Sequence, residues 1–253
     1  MHIEMYKMLV DRQETYWWHR GRRLMVAELL KDVDLHLNCK WLDIGCGPGG
    51  NVSLLDAFSP KLAVGFDISS VALSLAQKKA PKHIFIRGDL RCQLPFVDNS
   101  FNLVTSFNTL YHDWVDSEID VLNEIKRVLA PGGIFVATEP AFSCLWREMD
   151  ELAMGRRRYM IKDFVNLCDQ AGLTVLKTTY FTSFGFLLIL LSKALKRLGF
   201  FCLSEKSSID TKKISYFVNE VAFAVSRLEA TAITAGLSMP FGTTLLCISK
   251  KEK

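Results

Sequence analysis

Trp41-Leu42-Asp43-Ile44-Gly45-Cys46-Gly47-Pro48-Gly49-Gly50 is the stretch that decides how the rest of the chain is read. Its first four residues read as a buried strand, the glycines as a loop, and the loop hands over to a helix. A glycine loop lets the backbone approach a nucleotide-like ligand closely, and a helix N-terminus behind it offers N–H groups that have no intrahelical partner. Gly45, Gly47 and Gly50 also satisfy the G-x-G-x-x-G dinucleotide pattern, so the glycines alone leave the ligand open.

Asp43, two residues before the first glycine, narrows the choice. A carboxylate there repels a pyrophosphate but suits a cationic amine or sulfonium, which favours S-adenosylmethionine over NAD. The run Leu62-Ala63-Val64-Gly65-Phe66-Asp67-Ile68 is a second apolar strand with an acid near its end, where a carboxylate can accept from both ribose hydroxyls. A third strand, His83 to Arg87, runs into Gly88-Asp89-Leu90 and places another acid where an adenine amino group can donate. The expected cofactor contacts are Gly45, Cys46, Gly47 and Gly49 for the methionine part. Asp67, with Ile68 and Ser69, is expected at the ribose, Asp89 and Leu90 at the adenine, and Asn108 after the fourth strand.

The fourth strand, Phe101-Asn102-Leu103-Val104-Thr105-Ser106-Phe107-Asn108, and Leu129-Ala130-Pro131-Gly132-Gly133 complete an ordered set of motifs. Over roughly residues 40–140 the chain resembles the class I S-adenosylmethionine-dependent methyltransferases. That resemblance implies an α/β, Rossmann-like sheet of seven mostly parallel strands with helices on both faces. It also implies that the last strand, Thr243 to Ser249, inserts antiparallel between the fifth (Gly133 to Thr138) and the sixth (Leu173 to Phe181). The expected organisation is an N-terminal helical arm or lid over 1–38 and a cofactor-binding core over 39–181. A helical insertion over 182–242 covers the active site or forms a homodimer face, and 243–253 returns as the last strand.

Composition agrees with one decorated domain: 253 residues, 49% hydrophobic and 23% charged. The net charge of +4 is spread thinly, and short clusters such as Arg20-Gly21-Arg22-Arg23 and Arg156-Arg157-Arg158 read as solvated faces, so no nucleic-acid partner is expected. Seven cysteines without a C-x-x-C pair point to a reducing, cytoplasmic setting with no metal site. Met1 to Arg12 lacks the apolar core of a signal peptide.

Helices are expected over Val71 to Lys79, capped by Ser69, over Ser117 to Leu129, and over Ile161 to Ala171, stopped by Gly172. In the insertion, Ile214, Phe217, Val218, Val221, Val225, Leu228 and Ile233 keep helical spacing and predict one long amphipathic helix over about 212–235. Phe184 to Leu191 is almost wholly apolar and is followed by Lys193, Lys196 and Arg197. The run is too short to span a bilayer. Residues 183–201 therefore read as a buried or pocket-lining helix or as a peripheral membrane contact.

Methyl transfer from a sulfonium requires alignment and exclusion of water, often with a general base. The segment after the fourth strand, Asn108-Thr109-Leu110-Tyr111-His112-Asp113-Trp114, sits where open α/β sheets bind ligands. His112 is the first candidate for a base or an acceptor-orienting group and Tyr111 the second; local packing of His112 is the alternative. Glu14-Thr15-Tyr16-Trp17-Trp18-His19-Arg20-Gly21-Arg22-Arg23 suggests an aromatic lid carrying a guanidinium. In the methyltransferases that this arm resembles, an arginine there, here Arg22, approaches the methionine carboxylate.

Glu139-Pro140-Ala141-Phe142-Ser143-Cys144-Leu145-Trp146, Asp150, Arg156-Arg157-Arg158-Tyr159 and Met239-Pro240-Phe241-Gly242-Thr243 are similar to bacterial methyltransferases that accompany glycosyltransferases or lipid-modifying enzymes. That pattern often has a histidine before its paired arginines, where Arg156 stands here. The nucleobase-methylating Asn/Asp-Pro-Pro-aromatic motif is absent after strand four, as is the acidic pair expected for arginine methylation. The expected acceptor is the oxygen or carbon of a small-molecule, sugar-derived or lipid-like compound. A non-catalytic cofactor-binding protein and an NAD-dependent oxidoreductase are the rival readings.

Overall fold

The apolar runs become strands β1 (Lys40–Ile44), β2 (Leu62–Asp67), β3 (Ile84–Arg87), β4 (Phe101–Phe107), β5 (Leu129–Pro140), β6 (Thr174–Phe181) and β7 (Thr244–Lys250). The computed structural model of the protein describes residues 10, 12–31, 39–51, 54, 58–198 and 214–253. One sheet forms in the order β3-β2-β1-β4-β5-β7-β6. β1 to β5 pair in parallel, and β7 runs antiparallel between β5 and β6, as expected. The strand order reverses between β1 and β4, and there the glycine loop leaves the sheet. β5 starts earlier than expected: Leu129 already pairs with Phe101, and the register shifts before Leu103 meets Ile134, so the Pro131-Gly132-Gly133 turn is held within the strand.

Side-chain alternation sorts the sheet into two faces. Leu42, Ile44, Val64, Phe66 and Val104 point to one side, under α3 (Glu118–Val128) and α5 (Ile161–Gln170). Trp41, Leu103, Phe107, Val136 and Ile248 point to the other, under α1 (Trp17–Lys31) and α7 (Tyr216–Thr234). The helices of the arm and of the insertion thus cover the same face and touch each other. Arg20 pairs with Glu220 at 2.5 Å, and Asn219 accepts from Trp17 N–H and donates to the Thr15 carbonyl, both at 2.9 Å.

The remaining helices are α2 (Ser70–Lys79), whose Ala72 N–H donates to the capping Ser69 Oγ at 3.2 Å, α4 (Glu148–Leu152) and α6 (Ser183–Arg197). The helix expected behind the glycine loop falls largely on 52–53 and 55–57, outside the described residues, as do 1–9, 32–38 and 199–213.

The structure turns α7 in a direction that its pattern does not reveal. Its inward face is Asn219, Ser226, Glu229, Ala230 and Ile233, while Phe217 (75% exposed) and Leu228 (73%) look outward. The inward polar groups are hydrogen-bonded, which makes their burial tolerable. Glu229 accepts from Thr182 N–H at 2.7 Å and Ser183 N–H at 2.9 Å, fixing the start of α6.

Candidate active site

The carboxyl ends of β1, β2, β3, β4 and β5 open into one cleft of about 390 Å³, roofed by α1 and flanked by α4 and α6. That is where open α/β sheets place ligands. Gly45, Cys46 and Gly47 line it from β1, Asp67 and Ile68 from β2, Leu90 after β3, and Asn108, Tyr111 and His112 after β4. Arg22 reaches it from α1. The structure therefore brings ten of the expected residues together around one space.

The loop has the backbone its glycines imply: Gly45, Gly47 and Gly49 have φ of 67°, 54° and 78°. Asp67 ties it to β2, since Gly47 N–H donates to Oδ2 at 2.9 Å and Ser69 N–H to Oδ1 at 2.8 Å. Burial raises the Asp67 carboxyl above its ordinary value against these two N–H donors.

Four expected residues stand elsewhere. Gly49 turns the loop, donating to the Cys46 carbonyl at 3.2 Å, and Ser69 caps α2; neither lines the cleft. Asp89 is engaged by Arg91 two residues on, whose Nη2 and Nε donate to it at 2.6 and 3.1 Å. Asp89 itself does not line the cleft, which Gly88 and Leu90 line on either side of it.

Asp43 lies beneath the floor. Its Oδ1 accepts from Thr105 at 2.7 Å and its Oδ2 from Asn51 at 3.1 Å. Burial pushes it up to about 6, opposed by those bonds and by Arg22. Asp43 addresses the cleft only through a relay. Asn51 Oδ1 accepts from Arg22 Nη2 at 3.4 Å, and Arg22 Nη1 donates to Asn108 Oδ1 at 3.0 Å. The Arg22 guanidinium sits between the rings of Trp18 (5.0 Å) and Phe107 (5.3 Å), and its Nε is buried without a hydrogen-bond partner. Burial lowers it to about 10, so it stays charged.

His112 is buried, stacked on Trp114 at 3.9 Å and tilted against Tyr111 at 4.1 Å, and its Nδ1 has no hydrogen-bond partner. Burial pushes it down to about 3, so the imidazole is neutral near pH 7. The aromatic arm also meets the cleft: Trp17 packs on Phe184 of α6 at 5.0 Å, and Trp18, His19 and Gln13 line the space.

Asn51 and Glu139 had no assigned place in the sequence reading. Asn51 had a local signal, a polar residue directly after the glycines. Glu139 had another, an acid ending an otherwise apolar strand. It is fully buried and accepts from the N–H groups of Thr109 (3.2 Å), Leu110 (3.0 Å) and Tyr111 (3.2 Å), so it shapes the loop that carries Tyr111 and His112.

Burial pushes Glu139 up to about 8 despite those donors. The folded protein therefore keeps a proton that an unfolded glutamate releases, and stability falls as pH rises from roughly 4.5 to 8. His112, depressed from 6.5, acts in the other sense and only below that value. Glu139→Gln should thus flatten the decline in melting temperature between about pH 6.5 and 8, a difference of about 1–2 kcal/mol. Parallel profiles for the two proteins would contradict this.

The arginine motif fastens the cleft's far wall. Arg158 Nε and Nη2 bind Asp150 at 3.0 and 2.9 Å, and Nη1 donates to the Ala141 carbonyl at 3.0 Å. Arg156 donates to Glu118 at 2.5 Å, outside the cleft lining. Tyr159 OH donates to the Leu110 carbonyl at 2.9 Å, linking this wall to the loop after β4.

Comparison with known proteins agrees with this geometry. A family model described as a methyltransferase domain matches residues 42–137. An uncharacterized methyltransferase of Synechocystis sp. is 30% identical over 157 residues, 58% of this chain and 73% of the relative. The sterol 24-C-methyltransferase ERG6B of Gibberella zeae is 31% identical over 140 residues, which are 53% of this chain and only 36% of that enzyme. Among solved structures, a chain from the complex of the Haloferax volcanii Trm112 methyltransferase activator with a methyltransferase superposes with a TM-score of 0.65. It is 19% identical and covers 99% of this chain and 95% of its own. This chain belongs to the S-adenosylmethionine-dependent methyltransferase family.

Proposed function

We propose that the enzyme methylates an oxygen or carbon of a small acceptor, and that among small-molecule, sugar-derived and lipid-like compounds the lipid-like class fits best. The observation that carries this reading is the continuity of the cleft. From the glycine loop and Asp67 it runs past His112 to Phe184, Leu188 and Ile189 of α6, an apolar wall that the cofactor does not require. Arg158 and Asp150, which also line the cleft, bind each other and leave the α6 side to apolar contacts. The sterol-methylating relative is consistent with an apolar acceptor.

The residues present fit S-adenosylmethionine. At Gly47 the space that a Cβ would occupy meets no atom within 4 Å, so the backbone can be approached closely. Arg22 offers a charged guanidinium with an unpartnered Nε to the methionine carboxylate. Asp67 keeps lone pairs for the ribose hydroxyls beyond the two N–H bonds it accepts. When bound, the cofactor supplies a sulfonium methyl, and its transfer breaks the S–C bond, forms an O–C or C–C bond, releases the acceptor's proton and leaves S-adenosylhomocysteine.

The chain's own contribution is alignment. His112, neutral and held by Trp114, orients an acceptor hydroxyl by accepting its hydrogen bond, and the proton displaced on transfer leaves to solvent. Trp17 and Trp18 exclude water from the same space. His112→Ala should therefore lower kcat by roughly tenfold, the worth of one orienting hydrogen bond, with S-adenosylhomocysteine affinity unchanged. Unchanged turnover would remove His112 from this role.

The deciding experiment measures S-adenosylhomocysteine release with fatty acids, sterols and isoprenoid alcohols against water-soluble sugars and organic acids. Turnover on the first group supports the lipid-like acceptor, and turnover confined to the second overturns it.

A further inference from the structure

We infer that α6 is a lipid-bilayer docking helix that opens the active-site cleft towards the membrane surface. Leu187, Leu188 and Leu191 are 55%, 58% and 56% exposed, and Leu190 and Leu198 are exposed too. At 100° per residue, Leu190, Leu187, Leu191 and Leu188 fan over about 160° of the helix circumference. A flat protein surface covers a narrower stripe, and an apolar helix exposed this broadly needs a medium that wraps it. No helix among the described residues is long and apolar enough to cross a membrane. Fifteen residues of α6 reach only about 22 Å, so the helix would lie at the interface.

Two further observations select a bilayer, and an anionic one. Residues 183–198 carry no acidic residue and have Lys196 and Arg197 near their end, which is the charge pattern of a helix that binds anionic lipid. Lys193 holds the base of α6 to the cleft wall, donating to the carbonyls of Cys144 (2.7 Å) and Trp146 (3.0 Å). The exposed apolar surface is also continuous with the cleft, because Leu188 belongs to both and Phe184, Gly185 and Ile189 line the inside. A lipid-like acceptor could then pass from the bilayer into the site without crossing water. That last step rests on the apolar-acceptor reading; the docking itself does not.

The test is co-sedimentation of the full chain with phosphatidylglycerol-containing vesicles and with phosphatidylcholine vesicles, beside sedimentation velocity without lipid. The parent protein should sediment with the anionic vesicles more than with the neutral ones. L187E/L191E should lose roughly tenfold or more of that binding, since a charge replaces each inserted side chain. It should still bind S-adenosylhomocysteine as the parent does, which shows that the fold is kept. L187F/L191F should retain vesicle binding. Equal binding by the glutamate variant, or no binding to either vesicle, overturns the proposal. So does a self-association that the glutamate variant abolishes while vesicles bind nothing, because the helix would then face a second copy. None of these readouts requires methyl transfer, so a wrong acceptor class and a wrong docking surface give different results.

Discussion

Asp67→Ala should weaken S-adenosylhomocysteine binding by about 10²- to 10³-fold, read by calorimetric titration. The carboxylate acts in two ways. It holds the glycine loop against β2 by accepting from Gly47 N–H and Ser69 N–H. Its remaining lone pairs face the cleft, where the ribose hydroxyls of a bound cofactor would donate. Each hydrogen bond to a charged group contributes about 1.5–3 kcal/mol, and losing the loop's anchors adds to that. The two effects separate in a cycle with a 2′-deoxyadenosyl analogue. Removing the hydroxyl should cost the parent protein about tenfold or more and the variant almost nothing. If the variant binds both ligands within about threefold of the parent, the ribose is held elsewhere.

Much of this site was legible in the sequence because its scaffold depends on local signals. The apolar runs ending in Asp43, Asp67 and Asn108 announce buried parallel strands, and the glycine spacing announces the turn at the end of β1. The contacts that these residues make were less legible. Asp43 is the expected acid in the expected strand, yet alternation puts it on the side of Trp41 and Thr105, where Thr105 and Asn51 take both its oxygens. Asp89 comes after its strand as expected, but Arg91 lies within reach and binds it first. A pattern of charges along the chain does not reveal such competition.

The insertion shows the same limit on a larger scale. The spacing of Phe217, Val221 and Leu228 specifies a helix and one apolar stripe, but periodicity has no sign: it does not say which stripe meets the protein. In α7 a mixed stripe does: Ala230 and Ile233 pack inward beside Asn219 and Glu229, which find backbone partners in the arm and at the start of α6. Those partners lie far away in sequence, so no local reading could supply them.

Two neighbouring glycines should respond to the same substitution in opposite ways, which tests whether the loop is shaped by packing or by its ligand. An alanine Cβ at Gly45 would stand 2.2 Å from Thr109 Oγ1 and 2.4 Å from its Cγ2. Thr109 has little room to retreat, since its N–H is held by Glu139 at 3.2 Å and its hydroxyl donates to the Ile44 carbonyl at 3.3 Å. With a φ of 67° adding backbone strain, Gly45→Ala should destabilise the fold by about 3 kcal/mol. Thr109→Ala in the same chain should recover only part of the packing share, since the Thr109 Cβ would still stand 2.8 Å away, and none of the strain. At Gly47 a Cβ meets nothing within 4 Å, so Gly47→Ala should cost only the positive-φ strain, about 1 kcal/mol. Its methyl group would instead fill the space that lets a ligand reach the backbone, and S-adenosylhomocysteine affinity should fall by more than about tenfold. Thermal unfolding and titration of the two variants read both quantities. If Gly45→Ala melts like the parent, Thr109 does not brace the loop, and if Gly47→Ala binds normally, the ligand does not approach the backbone there.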